Sequence, residues 1–201
     1  MTGRSATTTF SVPNVDPTDL RRVLAEQFGL TGRLEPLPGE RDLNFRLETG
    51  NRERFVVKVA NEEEDPAVLA MQTEAIERIA ERAPDLAVPT VRRTLHGEPM
   101  GRISADGREH LIRVVGWVDG VPLAGVEPVS ADLLRSLGRV VGRIHDALEG
   151  FEHPAARRSL KWDLGQARWI ESHWERVANP EQRALVQAAF RPFVEQVPPR
   201  W

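Results

Sequence analysis

A single lysine sits in the string Phe55-Val56-Val57-Lys58-Val59-Ala60. Side chains alternate along an extended chain, so Phe55, Val57 and Val59 share one face while Val56, Lys58 and Ala60 share the other. An ammonium that emerges among apolar neighbours on a rigid strand can neutralise phosphate charge without a mobile loop. The same string also fits a strand lysine that simply reaches solvent, as most lysines do. Ahead of it, the stretch Gly39-Glu40-Arg41-Asp42-Leu43-Asn44-Phe45 begins in turn chemistry and could fold over phosphates, offering them backbone N–H groups. It carries one glycine and is neither a P-loop nor a G-x-G-x-x-G fingerprint, so an ordinary hairpin turn is an equal reading.

The segment after Lys58 has helical periodicity. At about 100° per residue, Val68, Gln72, Ala75, Ile76 and Ile79 gather on one side, and Glu74 falls on the other as a solvated acid. Gln72 is thus an inward polar group that must find hydrogen-bond partners, and an inward polar group here could hold the lysine. Further on, Arg113-Val114-Val115-Gly116-Trp117-Val118-Asp119-Gly120 could present backbone groups to an adenine edge, or could be a plain linker.

These residues need elements to position them. Pro17 to Phe28 reads as a helix capped by Asp16, with Leu20, Val23, Leu24 and Phe28 on one face and Gly29 and Gly32 beyond its end. Strands are expected at Leu34 to Leu37, Leu43 to Glu48 (Leu43, Phe45 and Leu47 on one face) and Arg54 to Ala60. A helix follows from Pro66 to Arg82, capped by Asp65. Strands then fall at Val91 to Leu95, Met100 to Ser104 and Glu109 to Val115, separated by His96-Gly97-Glu98-Pro99 and Ala105-Asp106-Gly107-Arg108. Gly116 to Pro128, with three Gly and two Pro, is loop-like. Helices alone come next: Ser130 to Leu148, Trp162 to Val177 and Pro180 to Val194. Strands followed by helices predict an α+β fold with two lobes, their boundary at Gly116 to Gly125. The expected organisation is a flexible tail (1–12), an N-terminal lobe (13–115), a hinge (116–128) and a helical C-terminal lobe (129–201).

Composition removes other classes. Over 201 residues the net charge is −3, so nothing marks a nucleic-acid partner. The chain has no cysteine, which excludes disulfides and thiolate metal sites and agrees with a cytoplasmic location. No apolar run approaches the roughly 18 residues of a membrane span, and Met1 to Thr9 lacks the apolar centre of a signal peptide.

Several strings, in this order, resemble the aminoglycoside phosphotransferase and choline kinase family. They are Leu37-Pro38-Gly39-Glu40-Arg41-Asp42-Leu43-Asn44-Phe45-Arg46-Leu47, Phe55-Val56-Val57-Lys58-Val59-Ala60, Ala83-Pro84-Asp85-Leu86-Ala87-Val88-Pro89 and His110-Leu111-Ile112-Arg113. Val118-Asp119-Gly120-Val121-Pro122-Leu123 and Leu137-Gly138-Arg139-Val140-Val141-Gly142-Arg143-Ile144-His145 complete the set. Within the family the chain is most similar to the hydroxylysine-kinase-like branch, whose members also occur fused to aminotransferases, so a fusion partner downstream is part of the expectation. The resemblance covers Thr31 to Trp201 and implies a protein-kinase-like fold, ATP as nucleotide with Mg²⁺ in the complete domain, and a small amine or amino-alcohol substrate. Lys58 would hold the α- and β-phosphates, and Gly39, Asn44 and their loop would cover the nucleotide. Position 72 would partner the lysine; the family usually has Glu there, whereas this chain has Gln72, which removes an ion pair. Val115, Gly116 and Trp117 would line the adenine pocket.

The family's catalytic loop, H-x-D-x-x-x-x-N, has no match. His96-Gly97-Glu98 precedes the hinge and has Ile103 at the Asn position; His145-Asp146 has its acid one place early; His173-Trp174-Glu175 has Pro180 at the Asn position; His110 and His153 lack the acid. Val197-Pro198-Pro199-Arg200-Trp201 resembles the stretch that leads into that loop. The expectation is a truncated, catalytically inactive phosphotransferase domain, with a non-catalytic nucleotide-binding or protein-interaction remnant as the alternative.

Overall fold

A computed structural model describes residues 12–158 and 163–196. Its elements are α1 (Pro17–Phe28), β1 (Gly32–Leu37), β2 (Leu43–Thr49), β3 (Arg54–Val59), α2 (Pro66–Arg82), β4 (Val91–Arg92), β5 (Gly101–Ala105), β6 (Arg108–Gly116), α3 (Ala131–Leu148) and α4 (Pro180–Gln196). The chain divides into two compact units, one ending at Ala155 and the other beginning at Ala156.

In the first unit the strands form one antiparallel sheet in the order β1-β2-β3-β6-β4, with β5 also paired to β6. β6 is long enough to serve β3 along one edge and both β5 and β4 along the other. One face of the sheet carries the core: Leu34, Phe45, Leu47, Val57, Val59, Ile103, Ile112 and Val114 meet Leu20, Val23, Leu24 and Phe28 of α1. Complete burial of a side chain such as Phe28 or Leu20 contributes about 1.5–3 kcal/mol. The period-two pattern of β2 and β3 is therefore the cause of the opposite, polar face on which Asn44 and Lys58 lie.

Both predicted caps hold. Asp16 accepts from the Thr18 N–H and Asp65 from the Ala67 N–H, with proline in the first turn of each helix. Gly29 ends α1 in the left-handed region (φ 66°), and the Leu30 N–H returns to the Leu24 carbonyl. The Gln27 amide then pairs with both backbone groups of Arg102, so the end of α1 is tied to β5 as a strand would be. Arg78 and Arg82 of α2 donate to the carbonyls of Ala147 and Glu149, which satisfies the exposed C-terminal acceptors of α3.

The expected strand from Val91 to Leu95 shrinks to two residues. Beyond Arg92 the backbone turns toward other partners: the Leu95 N–H donates to Gln27 and the Thr94 N–H to Glu98. The second unit departs further. Instead of an α-helix, Leu164–Arg176 winds as 3-10 turns, and Ala167, Ile170 and His173 recur every third residue on its less exposed side. Trp162, where that helix was expected to begin, lies outside the described residues, as do Met1 to Thr9 and Val197 to Trp201. Among the described residues, no helix is long and apolar enough to cross a membrane.

Candidate functional site

The polar face of the sheet aligns three side chains in one row. Lys58 on β3 is in register with Asn44 on β2 and with Arg113 on β6. Neighbours in register share a face, so an amide, an ammonium and a guanidinium stand side by side. The Lys58 ammonium donates to Asn44 Oδ1 at 3.1 Å and forms an ion pair with Asp42 Oδ2 at 3.6 Å, its side chain about one-third exposed. It is partly open to solvent and lies on the face of β3 opposite the apolar core.

The turn between β1 and β2 supplies Asp42, and Asn44 follows it as the second residue of β2. Asn44 Nδ2 donates to the carbonyls of Pro38 and Asp42, and Asp42 Oδ1 accepts from the Asn61 N–H at 3.4 Å. The closure is tight at Gly39. A Cβ there would lie 2.2 Å from the Asp42 carbonyl oxygen and 2.4 Å from Asn44 Nδ2, so only glycine fits. The turn therefore presses down beside the lysine.

Gln72 does point inward from α2, but its partner is not Lys58. Its Oε1 accepts from the Arg113 guanidinium at 2.8 Å. Arg113 is 7% exposed, and its Nε finds no acceptor. Burial pushes this guanidinium below the usual arginine range, while the charges of Asp42 and Glu64 oppose the shift. The role expected of Gln72 as the lysine's holder is thus corrected: the helix amide is taken by a buried cation one strand over. Glu74, expected on the outer side, is exposed.

The hinge needs a similar adjustment. Val115 sits in the ladder between Val56 and Val91, with a strand on either side. The Gly116 N–H donates to the Thr90 carbonyl and the Trp117 N–H to the Arg54 carbonyl. Those donors are committed to the chain, and the first hinge N–H without such a bond among the described residues is that of Val118. The hinge is pinned by the Arg54–Asp119 ion pair and by the Arg46 guanidinium over the Trp117 ring, 5.8 Å from its centroid.

No histidine offers a base near this row. His110 is buried with Nδ1 on the Ala60 carbonyl, and His96 and His145 are exposed. Among the described residues no three His, Cys, Asp or Glu side chains gather to hold a metal ion, so the carboxylates on hand do not fit Mg²⁺. A cavity of about 380 Å³ lies at the start of α2 against β5 and β6, lined by Glu62, Glu98, Arg102 and His110 among others, and Lys58 does not border it.

Asp42 and Arg113 were quoted in the sequence strings without a role. Their importance depends on strand register and turn closure, which no local pattern encodes. One compositional signal was available: of 27 basic residues, only Lys58 and Lys161 are lysines. A chain that uses arginine almost everywhere keeps a compact ammonium at position 58.

Comparison with known proteins bears on the family and the fold. Hydroxylysine kinase from Mus musculus is 28% identical over 182 residues, which is 82% of this chain and 48% of that protein. The Danio rerio hydroxylysine kinase is 25% identical, covering 94% of this chain and 56% of the relative. The chain thus spans about half the length of the curated relatives it matches. Among solved structures, an amicoumacin kinase in complex with AMP-PNP, Ca²⁺ and Ami superposes with a TM-score of 0.63 at 13% identity, covering 86% of this chain and 51% of that one. A microcompartment-associated aminopropanol kinase gives 0.59 at 17% identity, over 79% and 49%. The α+β architecture is therefore protein-kinase-like. The sequence profile of the phosphotransferase enzyme family matches residues 33–201, most of the chain, and the protein belongs to that family.

Proposed function

We propose that this chain carries the nucleotide-binding side of an ATP-dependent phosphotransferase whose acceptor is a hydroxyl of an amine or amino alcohol, such as a hydroxylysine-like compound. The observation that carries the reading is the Lys58 ammonium, fixed on a sheet between Asn44 and Asp42 beneath a turn that only glycine can close. Lys58 would neutralise charge on the α- and β-phosphates, a role suited to a point charge on a rigid strand. Gly39 and Asn44 would keep the turn low over the nucleotide. Val115 and Trp117 would flank the base, and the Val118 N–H would meet its edge. Kinship with hydroxylysine kinases, and a shared fold with an aminopropanol kinase, support an amino-alcohol acceptor. The amicoumacin kinase complex with AMP-PNP and Ca²⁺ supports a nucleotide and a divalent cation in the family.

Mg²⁺ would supply neutralisation between the phosphates, but the described carboxylates do not form its site. The 201 residues contain no H-x-D-x-x-x-x-N, so a general base with its metal ligands is not on hand. The reading is that this chain binds nucleotide and does not turn it over, in a cytoplasmic setting consistent with the absence of cysteine. A second reading, a non-catalytic interaction module, is favoured by α3, whose Leu134, Leu137 and Val141 are 54%, 43% and 44% exposed.

Thermal unfolding with Mg·ATP separates the two. The phosphotransferase reading expects a rise in melting temperature in the parent chain and its loss in Lys58→Ala at unchanged nucleotide-free stability. If ATP shifts neither protein, the interaction reading stands alone. If Lys58→Ala responds as the parent does, Lys58 is not the phosphate anchor.

A further inference from the structure

The geometry points to Asp42, on the turn between β1 and β2, as the residue that positions the Lys58 ammonium, in place of any group on α2. This rests on the reading of Lys58 as a phosphate anchor.

An ammonium has three donors and no acceptor. Asn44 Oδ1 accepts one N–H, and the Asp42 carboxylate draws the ammonium toward itself as an ion pair at 3.6 Å, which leaves donor capacity for a ligand oxygen. Both acceptors are held in place by the same turn: Asn44 through its donations to Pro38 and Asp42, and Asp42 through the Asn61 N–H. At 20% and 32% side-chain exposure the Asp42–Lys58 pair is partly shielded from water, so it is screened less than a surface pair.

The inward position of α2 offers no competing anion, and Glu77 is paired with Arg93 while Glu74 faces His153. Gln72 is neutral, and its carbonyl oxygen is already occupied by Arg113 at 2.8 Å. Arg113 is also the register partner of Lys58. The buried positive charge of Arg113, beside Lys58 in the row and bonded to α2, favours the Asp42 side for the ammonium. Even a carboxylate at position 72 would meet Arg113 before Lys58. Lysine orientation and turn closure thus become a single event, and α2 does not gate it.

The chain's lysine content makes the test direct. Uniform ¹⁵N-lysine labelling gives signals from Lys58 and Lys161 alone, and Lys58→Arg assigns the first. An ammonium held by acceptors exchanges its protons slowly enough to give a sharp Nζ resonance. Asp42→Asn should broaden or remove the Lys58 signal, Asp42→Glu should restore it, and Gln72→Ala should leave it sharp. Asp42→Ser serves if the amide spectrum shows that Asp42→Asn is unfolded. Mg·ATP affinity should fall about two- to fivefold in Asp42→Asn, the scale of a partly exposed ion pair, and recover in Asp42→Glu. A Lys58 signal indifferent to the loss of Asp42, or one lost in Gln72→Ala, overturns the assignment even if the parent binds nucleotide. A parent that binds no nucleotide while the signals behave as expected retires the nucleotide reading and keeps the pairing.

Discussion

Arg113 and Gln72 form a pair in which only the buried partner, Arg113, carries charge. The guanidinium has left water almost entirely, one of its nitrogens is orphaned, and its contact on α2 is a neutral amide. Such a group costs desolvation that a single hydrogen bond does not recover. Removing it alone leaves the Gln72 oxygen without a donor, which should destabilise the fold by about 1–3 kcal/mol. Removing both partners removes the polar burial as well. Arg113→Met should therefore lower stability in urea unfolding, while the double variant Arg113→Met/Gln72→Leu should recover to within about 1 kcal/mol of the parent. If the double variant loses the sum of the single losses, the two side chains are not coupled and the pairing carries no energy. At this scale the sequence told only half. Lys58, Gly39 and Asn44 were legible because a strand period and a Pro-Gly turn are local. The exchange of partners between Gln72, Arg113 and Asp42 was not, because it is fixed by register across β2, β3 and β6.

Helix bounds were legible for the same local reason. Asp16 and Asp65 each precede a proline, and α1 and α2 begin at those prolines and end at Phe28 and Arg82, where the apolar period stops. Strand β4 and the 3-10 turns at Leu164–Arg176 escaped because their shape depends on partners elsewhere: the Leu95 N–H answers to Gln27, which lies in α1. Which hinge donors stay free was not legible for a related cause, since Thr90 and Arg54 claim those of Gly116 and Trp117 from outside the hinge. A cap makes an element-scale prediction with a definite sign. The Thr18 N–H bond holds the Asp16 carboxyl below the usual carboxylate range. A group whose folded-state pKa is depressed stabilises the fold fully above its unfolded value, near 4, and that contribution is lost as pH falls through the lower folded value. Asp16→Ala should melt below the parent at pH 7, and the two curves should converge as pH falls well below the ordinary aspartate range. A gap that persists at the acid end would mean that the cap acts through shape and not through charge.

The whole molecule separates into a unit ending at Ala155 and a shorter one beginning at Ala156. The buried cluster of the first unit runs from Val15 to Val114 in sequence, and every strand pairing lies between Gly32 and Gly116. The lysine row and the covering turn fall inside the same span, and the hinge follows directly after it. Even α3 is tied within it, through Arg78 and Arg82 on the Ala147 and Glu149 carbonyls. Among the described residues, the named partners of the candidate site all precede Ala155. A fragment of residues 12–155 should therefore fold by itself and bind Mg·ATP within about twofold of the full chain, the tolerance expected of independent parts. Isothermal titration of fragment and full chain, with the amide spectrum as the check on folding, decides the matter. A folded fragment whose affinity has dropped tenfold or more would mean that the second unit contributes to the nucleotide site, and a fragment that does not fold would mean that the core between Val15 and Val114 is insufficient without it.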